Sequence, residues 1–112
     1  MNEKRFSTIF IFCYWGGFYF FSIAYGQDNE VYVTDVYEAN IDNKDIYGKL
    51  ADRYTKFLNY LLKNRTIGSL KDIQTGYEKN YQKKEQAEAE QKYFLSTLEK
   101  QQFTAKMVNY SL

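Results

Sequence analysis

An uncharged, aromatic-rich run, Ile9 to Tyr25 (IFIFCYWGGFYFFSIAY), constrains this chain more than any other stretch. A segment so apolar has three destinations: a cleaved leader, a membrane-spanning helix or a buried core element. The flanks favour the leader. Lys4 and Arg5 precede the run, and the small residues Ser22, Ala24 and Gly26 close it. Leader peptidases accept small side chains at two positions before the cut, so cleavage after Ala24 or Gly26 fits. Acidic Asp28 and Glu30 follow, so charge falls along the chain as export from a cytoplasmic N-terminus requires. An uncleaved anchor is the rival reading. A spanning helix takes about 20 apolar residues, which puts this run at the short end of the range. A buried core helix has less support, because nothing later in the chain is apolar enough to cover it. The expected organisation is therefore a signal peptide (or retained anchor) over 1–26, an extended or weakly ordered arm over 27–42, and a helical domain over 43–112.

Removing 1–26 takes away Lys4, Arg5 and Glu3 and leaves acidic and basic residues in balance. A nucleic-acid binder needs an excess of Lys and Arg on one face, so no nucleic-acid partner is expected. The one cysteine, Cys13, lies inside the apolar run, and there is no histidine and no proline. Disulfide staples, Ser-His-Asp and Cys-His catalysis, and His-ligated zinc are excluded on that account. A domain this short is marginally stable alone and leans on helix packing, a partner or self-association.

After the run, Gln27 to Asn40 (QDNEVYVTDVYEAN) favours extended structure through Val31, Tyr32, Val33, Val36 and Tyr37. The rest of the sequence offers no evident strand partner, so this reads as an arm. A first helix is expected from about Lys44 to Lys63. Asp42 or Asn43 caps it, Asp45 sits in its first turn, and Ile46, Leu50, Tyr54, Phe57, Leu58, Leu61 and Leu62 share one face. Asn64 and Gly68 supply its exit. Ser69 with Asp72 resembles a capping box that starts a second helix. Leu70, Ile73, Tyr77 and Tyr81 keep the helical spacing, and no Pro or Gly falls between Tyr77 and Val108. One C-terminal helix of about 58 Å is the simplest reading, with Gly76 its weak spot. The fold class expected is mostly α: signal segment, arm, then a two-helix hairpin with one long C-terminal helix. In heptads, polar residues take too many seam sites for a strong coiled coil, so a local bundle or weak oligomer is expected.

No catalytic, cofactor-binding or metal constellation emerges, and a non-enzyme is expected. The carboxylates at Asp42 and Asp45, and at Glu85, Glu88 and Glu90, lie at a helix start and in a solvated stretch. Neither set has EF-hand spacing or a pocket-forming shell. Two Asn-x-Ser/Thr triplets, at Asn64 and Asn109, are candidate glycosylation sites if the chain is exported in a eukaryote. The hairpin leaves Tyr93, Phe94, Leu95 and Leu98 uncovered, which makes them the candidate partner-contact surface.

The arm, the LLKNRTIGSL linker and the Gln/Lys-rich helix together resemble, in pattern, the small minor-pilus proteins of bacterial type IV secretion systems. That resemblance implies a helical, exported pilus component. The remaining alternatives are a single-pass membrane-anchored subunit and a secreted helical signalling peptide. The expected role is a secreted or periplasmic protein that binds a protein partner or itself, with a membrane involved only if residues 9–25 are retained.

Overall fold

The computed structural model describes residues 18–39 and 50–110. The expected Asp42–Asn43 cap, the Asp42 and Asp45 carboxylates, and Ser111 of the second triplet lie outside the described residues.

The chain is mixed α/β, which corrects the expectation of a mostly helical protein. In order it forms β1 (Phe18–Tyr25), β2 (Glu30–Thr34), β3 (Tyr37–Ala39), α1 (Leu50–Lys63), a short 3-10 turn (Leu70–Asp72), β4 (Thr75–Tyr81), α2 (Lys84–Lys100) and β5 (Thr104–Val108). The five strands make one curled sheet with β1 at its centre. β1 pairs antiparallel with β4 along its whole length, from Tyr19↔Tyr81 to Tyr25↔Thr75. Its other edge is shared. β2 takes the C-terminal half through Ile23↔Val33, and β3 the N-terminal half through Phe20↔Tyr37. β5 lies parallel to β2, Glu30↔Thr104 to Thr34↔Val108.

The central position of β1 explains the apolar run. Successive side chains on a strand point to opposite faces, and here both faces are covered. Phe18, Phe20 and Ala24 pack with Phe57 and Leu61 of α1, and with Ile67, Val108 and Tyr110. Phe21 and Ile23 pack with Val31, Val33, Phe94 and Leu98 under α2. The result is three layers, helix on sheet on helix. A strand buried on both sides reads as a continuous apolar run without alternation, and so imitates a leader or a spanning helix. Residues 18–25 of the expected signal segment are thus the strand to which three others are bonded. Part of the expected arm forms β2 and β3, joined to β1 through a tight turn. Asp28 and Asn29 take positive φ (55° and 60°), and the Glu30 N–H closes on the Gln27 carbonyl at 3.0 Å. Short polar side chains tolerate that left-handed pair, which a right-twisted hairpin needs.

The expected helical hairpin is also corrected. α1 and α2 lie on opposite faces of the sheet and do not form a hairpin, so the expected local bundle falls with it, and neither helix pairs as a coiled coil. The expected long helix is four elements: the 3-10 turn, β4, α2 and β5. The Ser69 box does form: the Ser69 side chain accepts from the Lys71 N–H, and the Asp72 carboxylate accepts from the Gly68 and Ser69 N–H groups at 3.1 Å. It starts only one 3-10 turn before β4 begins. Tyr77 and Tyr81 are four apart, a step that satisfies both the helical period and strand alternation. In the structure they alternate with Gly76, Glu78 and Asn80 across the two faces of β4.

Both helices end in the same manner. Arg65 (φ 58°) and Gln102 (φ 66°) take the left-handed position. The Thr66 N–H reaches back to the Leu61 carbonyl at 2.9 Å, and the Phe103 N–H to that of Leu98, also at 2.9 Å. These are Schellman ends, and Phe103 packs into the α2-side core that contains Leu98, the apolar contact such ends carry. Neither end has a glycine at the left-handed residue; Asn64 and Gly68 flank the α1 exit, whereas nothing in the sequence marks the end of α2.

Gly76 sits where β4 passes beneath α1. A Cβ there would collide with the Tyr54 hydroxyl and the Ile23 carbonyl oxygen, and lie 2.7 Å from Tyr54 Cε1. Tyr54 rests against the glycine, so the residue that weakened the expected helix is a docking point for α1.

Candidate functional site

The chemistry-bearing side chains converge between the sheet and α1. Strand alternation places Ser22 of β1 among Phe20 and Ala24 on that face, directly across from Glu78 of β4. Arg53 reaches down from α1, one helical step of four before Phe57 and two before Leu61. Its Nε donates to Glu78 Oε1 at 2.7 Å and its NH2 donates to the same oxygen. The two side chains are only 6 % and 2 % exposed. The guanidinium also lies over the Phe20 ring, 5.2 Å from its centroid. A cation packed on an aromatic face recovers part of the solvation it lost. Beside this pair, Ser22 Oγ and the Tyr37 hydroxyl share a hydrogen bond of 2.9 Å. The Ser22 N–H donates to Thr34 Oγ1, also at 2.9 Å.

Burial dominates the electrostatics. It pushes the Tyr37 phenol up to about 12; the Ser22 hydrogen bond pulls the other way, and the Glu78 charge reinforces the rise. The sign for stability follows from the phenol being neutral when protonated. A folded-state pKa above the unfolded value of 10.0 means stability is intact below about pH 10 and falls as pH climbs towards 12. Tyr77 is also pushed up to about 12, by burial and then by its hydrogen bond with Tyr25, and adds in the same direction. Urea denaturation at stepped pH should show this alkaline loss, and Tyr37→Phe should reduce its slope. Equal slopes in the two proteins would remove Tyr37 from the account.

The cluster is closed. Ser22, Thr34 and Arg53 are buried, and the hydroxyls and charges are aimed at one another. A nucleophile needs a base within reach and a path for substrate; Ser22 has a phenol as its neighbour and the core around it. Its chemistry in this state is the specification of how α1 sits on the sheet.

The expected contact residues divide. Phe94, 9 % exposed, packs against Phe21 with centroids 6.2 Å apart, and Leu98 is 1 % exposed. Leu95 is half-buried against the same core. Tyr93 is 71 % exposed. The chain covers this half of α2 itself, with the sheet and not with the first helix. Asn64 is exposed at the end of α1, where its side-chain amide donates to the Tyr60 carbonyl at 2.9 Å. Asn109 is also exposed, and its carbonyl accepts from the Tyr60 hydroxyl at 2.6 Å. The structure does not bring the two together with any other candidate. Glu85 and Glu88 are exposed on α2 and Glu90 is partly so, and among the described residues no three potential ligands gather for a metal.

The outer surface has two further features. A cavity of about 490 Å³ lies against α2, and among the described residues Glu88, Ala89, Gln91, Lys92 and Leu95 line it. Those residues belong to a single helix, so among the described residues no groups from different elements converge there. The second feature is the edge of β5. Among the described residues β5 pairs only with β2, and Thr104 to Met107 are all exposed, Met107 by 50 %. Thr104 and Val108 spend their backbone groups inward, on the Asn29 carbonyl and the Asp35 N–H. Strand geometry therefore turns the N–H and C=O of Ala105 and Met107 outward. Lys106 is tied to Glu30 at 3.0 Å. That ammonium and then the Tyr32 hydroxyl hold the Glu30 carboxyl below its ordinary range.

Sequence reading missed the Arg53–Glu78 and Ser22–Tyr37 pairs. Arg53 had a signal, its spacing of four to Phe57 and of eight to Leu61. Ser22 and Glu78 had none until β1 and β4 were paired. The fold and the site together define a small three-layer α/β protein with a closed polar core and a sheet edge, that of β5, left open among the described residues. No protein family, curated protein or solved structure compared with the chain matches it.

Proposed function

We propose that this chain is a non-enzymatic protein-binding module, and that it binds by adding a partner strand to the free edge of β5. The observation that carries the reading is the outward pair of backbone groups at Ala105 and Met107, flanked by an exposed Met107 side chain. An unpaired edge is a ready template for another strand. Edges that avoid such pairing use charge, proline or bulges; the one charge here, Lys106, is engaged by Glu30. Any export of this fold carries Phe18–Tyr25 with it, because cleavage after Ala24 or Gly26 would remove the central strand. The pilus-protein resemblance rested on a helical pattern, which the sheet replaces.

Ala105→Pro tests the reading. It deletes an N–H that faces away from β2, and proline is tolerated on edge strands in that orientation. A photo-crosslinking residue at Met107, used in the cell, should trap a partner that mass spectrometry identifies. Adding Ala105→Pro should abolish the crosslink while the circular dichroism and denaturation midpoint stay near those of the parent. Crosslinking that persists through the proline, with the fold intact, would refute edge pairing.

A further inference from the structure

We propose that the apolar stretch Phe6 to Gln27 can enter a lipid bilayer only if Phe18–Tyr25 leaves the centre of this sheet, and that folding opposes that insertion. No residue from Phe6 to Gln27 is charged; Lys4 and Arg5 lie before it, Asp28 and Glu30 after it. That length meets the requirement of about 20 residues for a spanning helix, and the flanking charges set one orientation. In the fold the described part of that stretch is taken up by the sheet. Phe20, Phe21, Ile23 and Ala24 have no exposed surface, and α1 and α2 cover the two faces around them. Among the described residues no helix is long and apolar enough to cross a membrane. Crossing as a helix satisfies every backbone group within the segment, so β1 must first surrender its bonds to β2, β3 and β4. The two states therefore compete for one segment.

The topology gives the competition a window. The stretch is made before the strands that pair with it, and its longest pairing is with the remote β4: Tyr19 pairs with Tyr81. Pairing across so much chain closes slowly, and until then the apolar stretch is uncovered. The inference is independent of what the β5 edge binds.

The test uses the full chain and phosphatidylcholine vesicles. Chain folded beforehand should remain in the aqueous fraction on flotation. Chain diluted from urea straight into vesicles should float, resist alkaline carbonate and leave a protease-protected N-terminal fragment containing Phe6 to Gln27. Gly76→Val, which loosens the sheet against the Ile23 carbonyl and leaves the sequence of the stretch unchanged, should raise the vesicle-bound share of the folded chain about tenfold, the population shift expected from a clash of this size. Phe18→Asp, diluted from urea, should not float, because a carboxylate near the middle of the span opposes insertion. The proposal falls if folded wild-type protein floats as readily as the diluted chain or if carbonate releases the bound form. It falls equally if Gly76→Val leaves the bound share unchanged, or if Phe18→Asp floats like wild type, since the binding is then unspecific adhesion of an unfolded chain.

Discussion

Glu78→Ala is expected to destabilise the protein by about 3–5 kcal/mol, the cost of removing one partner from a buried ion pair. The side chain of Arg53 is 6 % exposed and that of Glu78 is 2 % exposed, so water does not replace the lost carboxylate. The guanidinium keeps its place over Phe20, which recovers a fraction of the loss. The paired replacement Arg53→Met with Glu78→Leu should behave differently. It removes both charges from an apolar surround and is expected to lie within about 1 kcal/mol of wild type, or above it. Urea midpoints at constant slope measure both. A Glu78→Ala loss under about 1 kcal/mol would show that the pair is screened, and that apolar contacts such as those of Phe57, Leu61 and Tyr54 do most to hold α1.

Gly76→Ala carries the second large effect. The added Cβ meets the Ile23 carbonyl oxygen as well as Tyr54. The tyrosine can swing away; the carbonyl belongs to the strand that anchors the sheet. Overpacking of this kind costs about 1–3 kcal/mol, occasionally more, and valine should cost more than alanine. Tyr54→Ala combined with Gly76→Ala separates the two contacts. If Tyr54 is the main obstacle, the double variant will be much more stable than the sum of the single effects allows. If the carbonyl dominates, the effects will simply add. Gly76→Ala at wild-type stability would mean that Tyr54 does not rest on β4.

Much of the local structure was legible. The α1 face through Tyr54, Phe57, Leu58 and Leu61, its exit at Asn64, and the Ser69–Asp72 box all form. The tertiary reading failed for identifiable reasons. Phe18–Tyr25 lacks alternation because it is covered on both faces, and an apolar run alone does not distinguish lipid from a sheet interior. Thr75–Tyr81 carries tyrosines four apart, a spacing common to both periods. Arg65 and Gln102 end helices in a conformation that glycine usually marks, so the turn after α2 was invisible and β5 was read as more helix. The candidate contact surface followed from that error. Once β5 returns to β2, Phe94 and Leu98 are core, and the open apolar surface moves to Met107.

The sequence by itself determined which segments are apolar, where α1 stops, the balance of charge beyond Gly26, and the lack of histidine and of any disulfide. Those properties reside in single residues or in neighbours within one turn. Only the tertiary structure decided what Ile9–Tyr25 contributes over its second half, that Ser22 faces Glu78, and that Gly76 carries Tyr54. Each of those depends on strands paired across tens of residues, and no local propensity encodes the register that brings them together.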